Sequence, residues 1–376
     1  MVIVLFGQHF AEYITSLGGA FPAEEKVVLF LSKKNVQEEI PTRFQGAITK
    51  NIDSVLTFMP GPGKPYAFLQ AVRLFRRTIR KLQPHVIHFQ EMPKGYTFVC
   101  WLLARKSLRV LTIHDVVSHP GGDSKTTFRQ DFFKKYMRKS ADRLIVHGQK
   151  LVEQIEMVYP DLAPKTRIVP HPVLRLPTLP VNQSVIENQL LFFGRISKYK
   201  GLKYLAEACV KLQDKGKQFS LVVAGKGDDF AANETALKKI NQVTIINRRI
   251  HPDEIDKLFE AADIVVLPYI EASQSGVIAY ALAFGKPCVA SRTGCIPDMI
   301  RHNYNGLLTI PADAESLADG LEQLMDNKEL KQAFSDHALS LAASEFAPAT
   351  IAKETMLLYE DLLKPIQKDA VNHIPA

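Results

Sequence analysis

The chain has 376 residues, more than the roughly 250 to 300 that one hydrophobic core usually organises, so two domains are expected. With 46% hydrophobic and 23% charged residues it lies in the globular range, which excludes a largely disordered or collagen-like protein. The net charge of +8 is unevenly divided: residues 1–180 carry 26 Lys and Arg against 14 Asp and Glu, and the remainder 21 against 25, so the halves stand at +12 and −4.

Short apolar runs alternate with helix-length amphipathic segments, the rhythm of βαβ units and parallel sheets. Strands are expected at 2–6, 26–31, 85–89, 109–113, 143–147 and 167–169, with helices between most of them. The opening run has no basic residue before it and no small-residue cleavage site after it, so it reads as a first strand and not as a secretory signal. Pro170-His171-Pro172, then Pro177 and Pro180, can continue neither a helix nor a central strand, which places a linker at 171–188 between a first domain at 1–170 and a second at 189–345. Further strands are expected at 189–193, 219–224, 243–246, 264–267 and 287–290. Residues 313–345 read as helices, and 348–363 as a helix within a C-terminal segment, 346–376, that can return to the first domain. The fold class is therefore α/β, two Rossmann-like doubly wound domains facing across a cleft, and ligands of such sheets bind at the carboxyl ends of the strands.

No apolar stretch approaches the roughly 20 residues of a membrane-spanning helix. Cys100, Cys209, Cys288 and Cys295 show neither CxxC spacing nor adjacent histidines, so they read as reduced core thiols, and no metal is expected. The basic first half suits an anionic partner. Residues 65–83 place Phe68, Val72, Phe75, Ile79 and Leu82 on one helical face and Arg73, Arg76, Arg77, Arg80 and Lys81 on another, and Lys134, Lys135, Arg138 and Lys139 add to the positive side. No nucleic-acid module is recognisable, so the expected partner is an anionic membrane surface, met by a cytoplasmic protein at the inner face of the cell membrane.

The most informative run is Leu191-Phe192-Phe193-Gly194-Arg195-Ile196-Ser197-Lys198-Tyr199-Lys200-Gly201-Leu202, a buried strand that ends at glycine and enters a helix through a basic loop. Arg195 and Lys200 can converge on a diphosphate, the first as a fork and the second as a point charge; the competing reading is a solvated loop. Both side chains are then expected on the open surface of the cleft. Ala272-Ser273-Gln274-Ser275-Gly276-Val277 opens a helix whose first N–H groups and dipole favour phosphate. His114, with Asp115 beside it, follows a strand toward the cleft, where it serves either chemistry or packing. Gly7 and His9 follow the first strand, where His9 either meets a ligand of the cleft on the acceptor side or is incidental. Gly225-Lys226-Gly227 is too short to be a dinucleotide fingerprint.

Taken together these segments resemble the retaining glycosyltransferases of family 4, with the GT-B fold. Gly194-Arg195 through Lys200-Gly201 looks like the family's G-R-x-x-x-x-K-G element, and Lys81-Leu82-Gln83-Pro84-His85-Val86-Ile87-His88 like its K-x-x-P-D-V-V-H strand. Phe284-Gly285-Lys286-Pro287, Thr293-Gly294-Cys295-Ile296-Pro297 and the turn before Asp115 agree in order, so the match runs over roughly residues 80–320.

The resemblance implies a nucleotide diphosphate sugar as donor, a saccharide or lipid-linked acceptor, and transfer with retention and without metal or cofactor. It assigns His114, Arg195 and Lys200 to catalysis. Gly194, Ile250, Glu271, Gln274, Ser275, Gly276, Val277 and Tyr280 are assigned to the donor. One departure stands out: the family's two glutamates, eight apart, fall by count at Ala272 and Tyr280, with Glu271 one residue early. Tyr280 then either contacts the ribose or packs. The function expected is synthesis of a cell-surface polysaccharide or glycolipid. A non-catalytic nucleotide-sugar-binding protein on the same scaffold is the alternative, ahead of a nicotinamide-dependent oxidoreductase, for which no G-x-G-x-x-G follows the first strand.

Overall fold

Residues 1–45, 53–57, 65–117, 127–174 and 185–364 are described by a computed structural model of the chain. Parts of the expected linker, including Pro177 and Pro180, and of the C-terminal segment beyond Lys364 lie outside these residues.

The first domain is built on β1 (Val2–Gly7), β2 (Lys26–Ser32), β3 (Asp53–Thr57), β4 (Val86–Gln90), β5 (Leu108–Thr112), β6 (Arg143–Val146) and β7 (Thr166–Ile168), in the order β3-β2-β1-β4-β5-β6-β7. Every pairing is parallel. The second holds β8 (Gln189–Phe193), β9 (Ser220–Gly225), β10 (Val243–Asn247), β11 (Ile264–Leu267), β12 (Cys288–Ser291) and β13 (Gly306–Thr309), ordered β10-β9-β8-β11-β12-β13 and again parallel. Two strands were not expected from sequence, β3 and β13. Both are sheet edges, and Asp-Ser-Val-Leu-Thr and Gly-Leu-Leu-Thr each hold only two consecutive large apolar residues, too short a run to mark a strand.

In the first domain the crossovers are α1 (Ala11–Gly18), α2 (Lys33–Glu39), α3 (Pro65–Leu82), α4 (Gly95–Leu103), α5 (Phe128–Ser140) and α6 (Gln149–Val158). In the second they are α7 (Leu202–Asp214), α8 (Phe230–Leu237), α9 (Pro252–Ala261), α10 (Gly276–Ala283), α11 (Ile296–Met299), α12 (Ala314–Asp326) and α13 (Lys328–Ala343). Under α3 to α6 lies an aromatic core in which Phe6 stacks on Phe30 at 5.3 Å and meets Phe75 edge-on at 5.5 Å. Each such ring contributes roughly 1.5 to 3 kcal/mol through burial. Arg138 is not part of a basic surface as expected; it is wholly buried, with both arms on Glu91 at 2.6 and 2.7 Å. A guanidinium removed from water needs such a bidentate partner.

The last helix, α14 (Pro348–Leu363), begins with its proline in the first turn and packs against the first domain. Tyr359 reaches His88 on β4, and Arg143 pairs with Asp361 at 3.1 Å. One apolar cluster runs from Ile14 and Leu17 of α1 through Leu174 to Tyr280 and Ile278 of α10, so the two domains share part of a core. In each sheet the crossovers change direction beside the first strand, at β1/β4 and β8/β11, and the carboxyl ends of those strands face each other.

Candidate active site

The wall of the cleft contributed by the second domain starts from a tight backbone. Gly194 has φ 113° and its N–H donates to Ala224 at 2.9 Å, while a Cβ on Gly225, at φ 154°, would lie 1.7 Å from the Gly194 carbonyl oxygen. Only glycine lets the turns after β8 and β9 approach so closely. From this turn Arg195 projects onto the exposed wall of the cleft.

Lys200, at the end of a short turn of 3₁₀ helix, does not share that exposure, which corrects the expectation for it. Its Nζ lies 3.7 Å from the centre of the Tyr269 ring and 5.3 Å from that of Tyr199. Burial, and secondly the charge of Arg195, lower its pKa to about 7, against the opposing pull of Asp115. Tyr269 is itself placed by a 3.2 Å hydrogen bond to Ser275.

Ser275 caps α10 without using its side chain, and Gly276 and Val277 begin the helix, where N–H groups lack intrahelical acceptors. Val277 lies against the Gly194 turn, since a Cβ on that glycine would be 3.6 Å from Val277 Cγ2. Gln274 brings a buried amide oxygen with no hydrogen-bond partner among the described residues. Arg195, Lys200 and the start of α10 thus converge on one place at the ends of β8 and β11. Glu271 is exposed at the rim before this turn. Ile250 is buried after β10, next to Arg249, which crosses to Glu38 of the first domain at 3.1 Å.

Across the cleft, His9 is exposed, and its pKa is lowered by partial burial and then by Lys94, with Arg249 and Arg195 adding to the effect and Glu38 opposing it. The charges of Arg249 and Arg195 in the second domain reach His9, which places it across the cleft from them. Asp115 accepts a hydrogen bond from Ser273, which joins the two domains beside Lys200. Among the described residues no group of His, Cys, Asp and Glu is arranged to hold a metal ion.

Residues 181–340 match the family model of the group 1 glycosyl transferases, and residues 26–173 that of the glycosyl transferase 4-like domain. The chain belongs to the family 4, group 1 glycosyltransferases. It is 32% identical over 180 residues to a D-inositol 3-phosphate glycosyltransferase of Corynebacterium jeikeium, which is 46% of this chain and 43% of that one. The chain thus spans less than half the length of such relatives. Its fold is GT-B. Sucrose-phosphate synthase from Thermosynechococcus elongatus superposes with a TM-score of 0.70 at 18% identity, covering 96% of this chain and 99% of the other. HepE of Anabaena in complex with UDP-glucose superposes at 0.67 and 15%, covering 96% and 100%.

Two further residues singled out from the sequence are buried away from the open cleft. His114 is buried under Phe10, whose ring stacks on it at 3.8 Å, and does not open onto the cleft. Its Nε2 lies 2.7 Å from Gln90 Oε1, while Nδ1 has no partner among the described residues. Burial, and then the neighbouring His147, His171 and His88, hold its pKa well below the ordinary value, so the ring is neutral. With Nε2–H donating to Gln90, Nδ1 is left as an acceptor.

Tyr280 is the second case. Its hydroxyl donates to Glu12 of α1, and its ring stacks on Phe259 at 5.2 Å, so of the two alternatives the geometry favours packing between the domains. Burial pushes the Glu12 carboxyl well above its ordinary range, which favours the protonated form. Sequence reasoning passed over Gln8, whose two amide atoms are buried without partners among the described residues between Gly7 and His9, and also Phe10, Gln90 and Lys94. A buried amide in that state is one of the few polar groups that invite a ligand. The signal available was its place directly after β1; nothing in residue type marked it.

Proposed function

We infer that this protein transfers a sugar from a nucleotide diphosphate donor to a hydroxyl of a saccharide or lipid-linked acceptor, with retention and without a metal. The observation that carries this is the convergence of Arg195, Lys200 and the α10 N-terminus at the ends of β8 and β11. Breaking the bond from the sugar C1 to the diphosphate oxygen leaves negative charge on that oxygen. Arg195, Lys200 and the amides of Gly276 and Val277 are donors already aimed at such a charge, which spares the reorganisation that water would need. The acceptor oxygen then bonds C1 from the same face, and its proton passes to the departing diphosphate, so no protein base is required. His114, neutral and closed off from the cleft by Phe10, has no proton to give in this scheme. Gly7, Gln8 and His9 line the acceptor side, with Gln274 and Glu271 toward the donor sugar and Ile250 toward the base.

HepE is a structural neighbour seen with UDP-glucose, and a D-inositol 3-phosphate glycosyltransferase is a sequence relative, which supports a nucleotide sugar and a hydroxyl acceptor. The excess of positive charge in residues 1–180 supports residence at the cytoplasmic face of a membrane during synthesis of a cell-surface polysaccharide or glycolipid. The test is incubation with a panel of nucleotide sugars and candidate acceptors, following released nucleotide with and without EDTA. Turnover unaffected by EDTA is expected. Turnover abolished by EDTA and restored by a divalent ion would refute the metal-free mechanism, and donor binding without turnover on any acceptor would indicate a binding protein on the same scaffold.

A further inference from the structure

On the outer side of the first sheet, α3, α4 and α5 lie side by side. Phe68 of α3 meets Tyr96 of α4 at 6.3 Å, and Phe98 of α4 stacks on Phe133 of α5 at 4.2 Å. Helices that connect parallel strands run opposite to them, so α3 and α5 both start at the carboxyl end of the sheet, on the shoulder of the cleft.

Their first turns are unusually apolar for a water-facing surface. Phe128 is 90% exposed, Tyr66 69% and Phe132 52%, with Leu69 beside them. A 100° step per residue puts Tyr66, Leu69, Arg73, Arg76, Arg77 and Arg80 on a single outer stripe of α3, and Phe128, Phe132, Lys135 and Lys139 on one of α5. These four arginines and two lysines are exposed. Each stripe is therefore apolar near the cleft and cationic toward its far end. α3 contains no acidic residue, and in α5 Asp131 is paired with Lys135 at 2.8 Å.

A second copy of the chain would bring these cations against one another, so the partner must be anionic and must also accept aromatic rings beneath its charge. We propose that this face docks on an anionic bilayer, with the first turns of α3 and α5 sunk into the boundary between headgroups and acyl chains. The arginines of α3 and Lys139 of α5 behind them lie on lipid phosphates. This is the arrangement of interfacial helices, in which ring burial and cation attraction add. It sets the mouth of the cleft at the membrane surface, and so deepens the lipid-linked acceptor reading above, on which the choice of a lipid as partner rests.

The test uses the full chain and co-sedimentation with vesicles of phosphatidylcholine, alone or mixed with phosphatidylglycerol. Binding is expected only to the mixed vesicles and only partly released by salt, because ring insertion is not screened. The Arg76→Glu/Arg80→Glu and Phe128→Ser/Phe132→Ser variants should each lower partitioning by at least about tenfold. The residual binding of the phenylalanine variant should be wholly salt-released. Donor affinity without vesicles should match wild type in both, which reports intact folding. Equal binding to neutral vesicles, unchanged partitioning in either variant, or displacement from vesicles by duplex DNA or RNA would overturn the proposal. Vesicle binding by a protein that turns over no nucleotide sugar would refute the transferase reading and leave docking standing; turnover on a soluble acceptor with no vesicle binding would do the reverse.

Discussion

Lys200 offers the sharpest test of the site, because the structure gives its charge an unusual pH range. The ammonium is pressed over Tyr269 at 3.7 Å and stands near Arg195, and burial followed by that like charge brings its pKa down from 10.5 to about 7. In the empty protein about half of the molecules carry the cation at pH 7, about a tenth at pH 8 and about a hundredth at pH 9. Only the cation can neutralise a diphosphate. The kcat/KM for a nucleotide sugar, which reports the free protein, should therefore fall about tenfold per pH unit on an alkaline limb that breaks near 7. A nucleotide sugar has no phosphate group titrating there, so the limb belongs to the protein.

Lys200→Arg keeps a charge at every accessible pH and should abolish the limb, even if a planar fork sits poorly over Tyr269 and lowers the plateau. Lys200→Met should also be flat across this range and slower at pH 6 by about 10- to 100-fold, the usual worth of a charge-assisted contact. The assay is initial-rate nucleotide release from pH 6 to 9. A wild-type break at pH 9 or above, or the same alkaline limb in Lys200→Arg, would refute the assignment.

Arg195→Ala should weaken donor binding by roughly 1.5 to 3 kcal/mol in calorimetric titration and leave the melting temperature unchanged, since the side chain lies on the exposed cleft wall. Stability should fall as pH drops below about 6.5. Burial lowers the pKa of His88 and His171 to about 3 and of His147 to about 4, so an unfolded chain takes up protons that the fold refuses. The loss is about 1.4 kcal/mol per pH unit for each group until its folded pKa is reached, visible as a lower urea midpoint at pH 5 than at pH 7; equal midpoints would contradict it. Tyr280→Phe removes the donor to buried Glu12 and should cost about 1 to 3 kcal/mol in stability, while 2′- and 3′-deoxyribose donors are penalised as in wild type. A deoxy penalty that shrinks in this variant would return Tyr280 to the ribose.

The alternation of strands and helices was legible in the sequence because strands buried on both faces must be continuously apolar, and β8, β9 and β11 among others have such a run. The glycine turn at Gly194 was legible for a similar reason: a tight turn is local, and a few consecutive residues specify it. β3 and β13 escaped notice because each has only two consecutive large apolar residues, Val55-Leu56 and Leu307-Leu308, too short a run to mark a strand.

What only the tertiary structure decided concerns groups brought together from distant positions. Tyr280 and Glu12 are separated by 268 residues, and neither residue type announces that one hydroxyl will be used up by the other. His114 lies under Phe10 because β5 and the turn after β1 meet at the same end of the sheet. In the second domain the turns after β8 and β11 meet in a similar way, which sets Lys200 over Tyr269 and moves its proton affinity into the neutral range. Burial and field are sums over neighbours contributed by the whole chain, so the sequence alone names the charged groups but leaves their charge state to the fold.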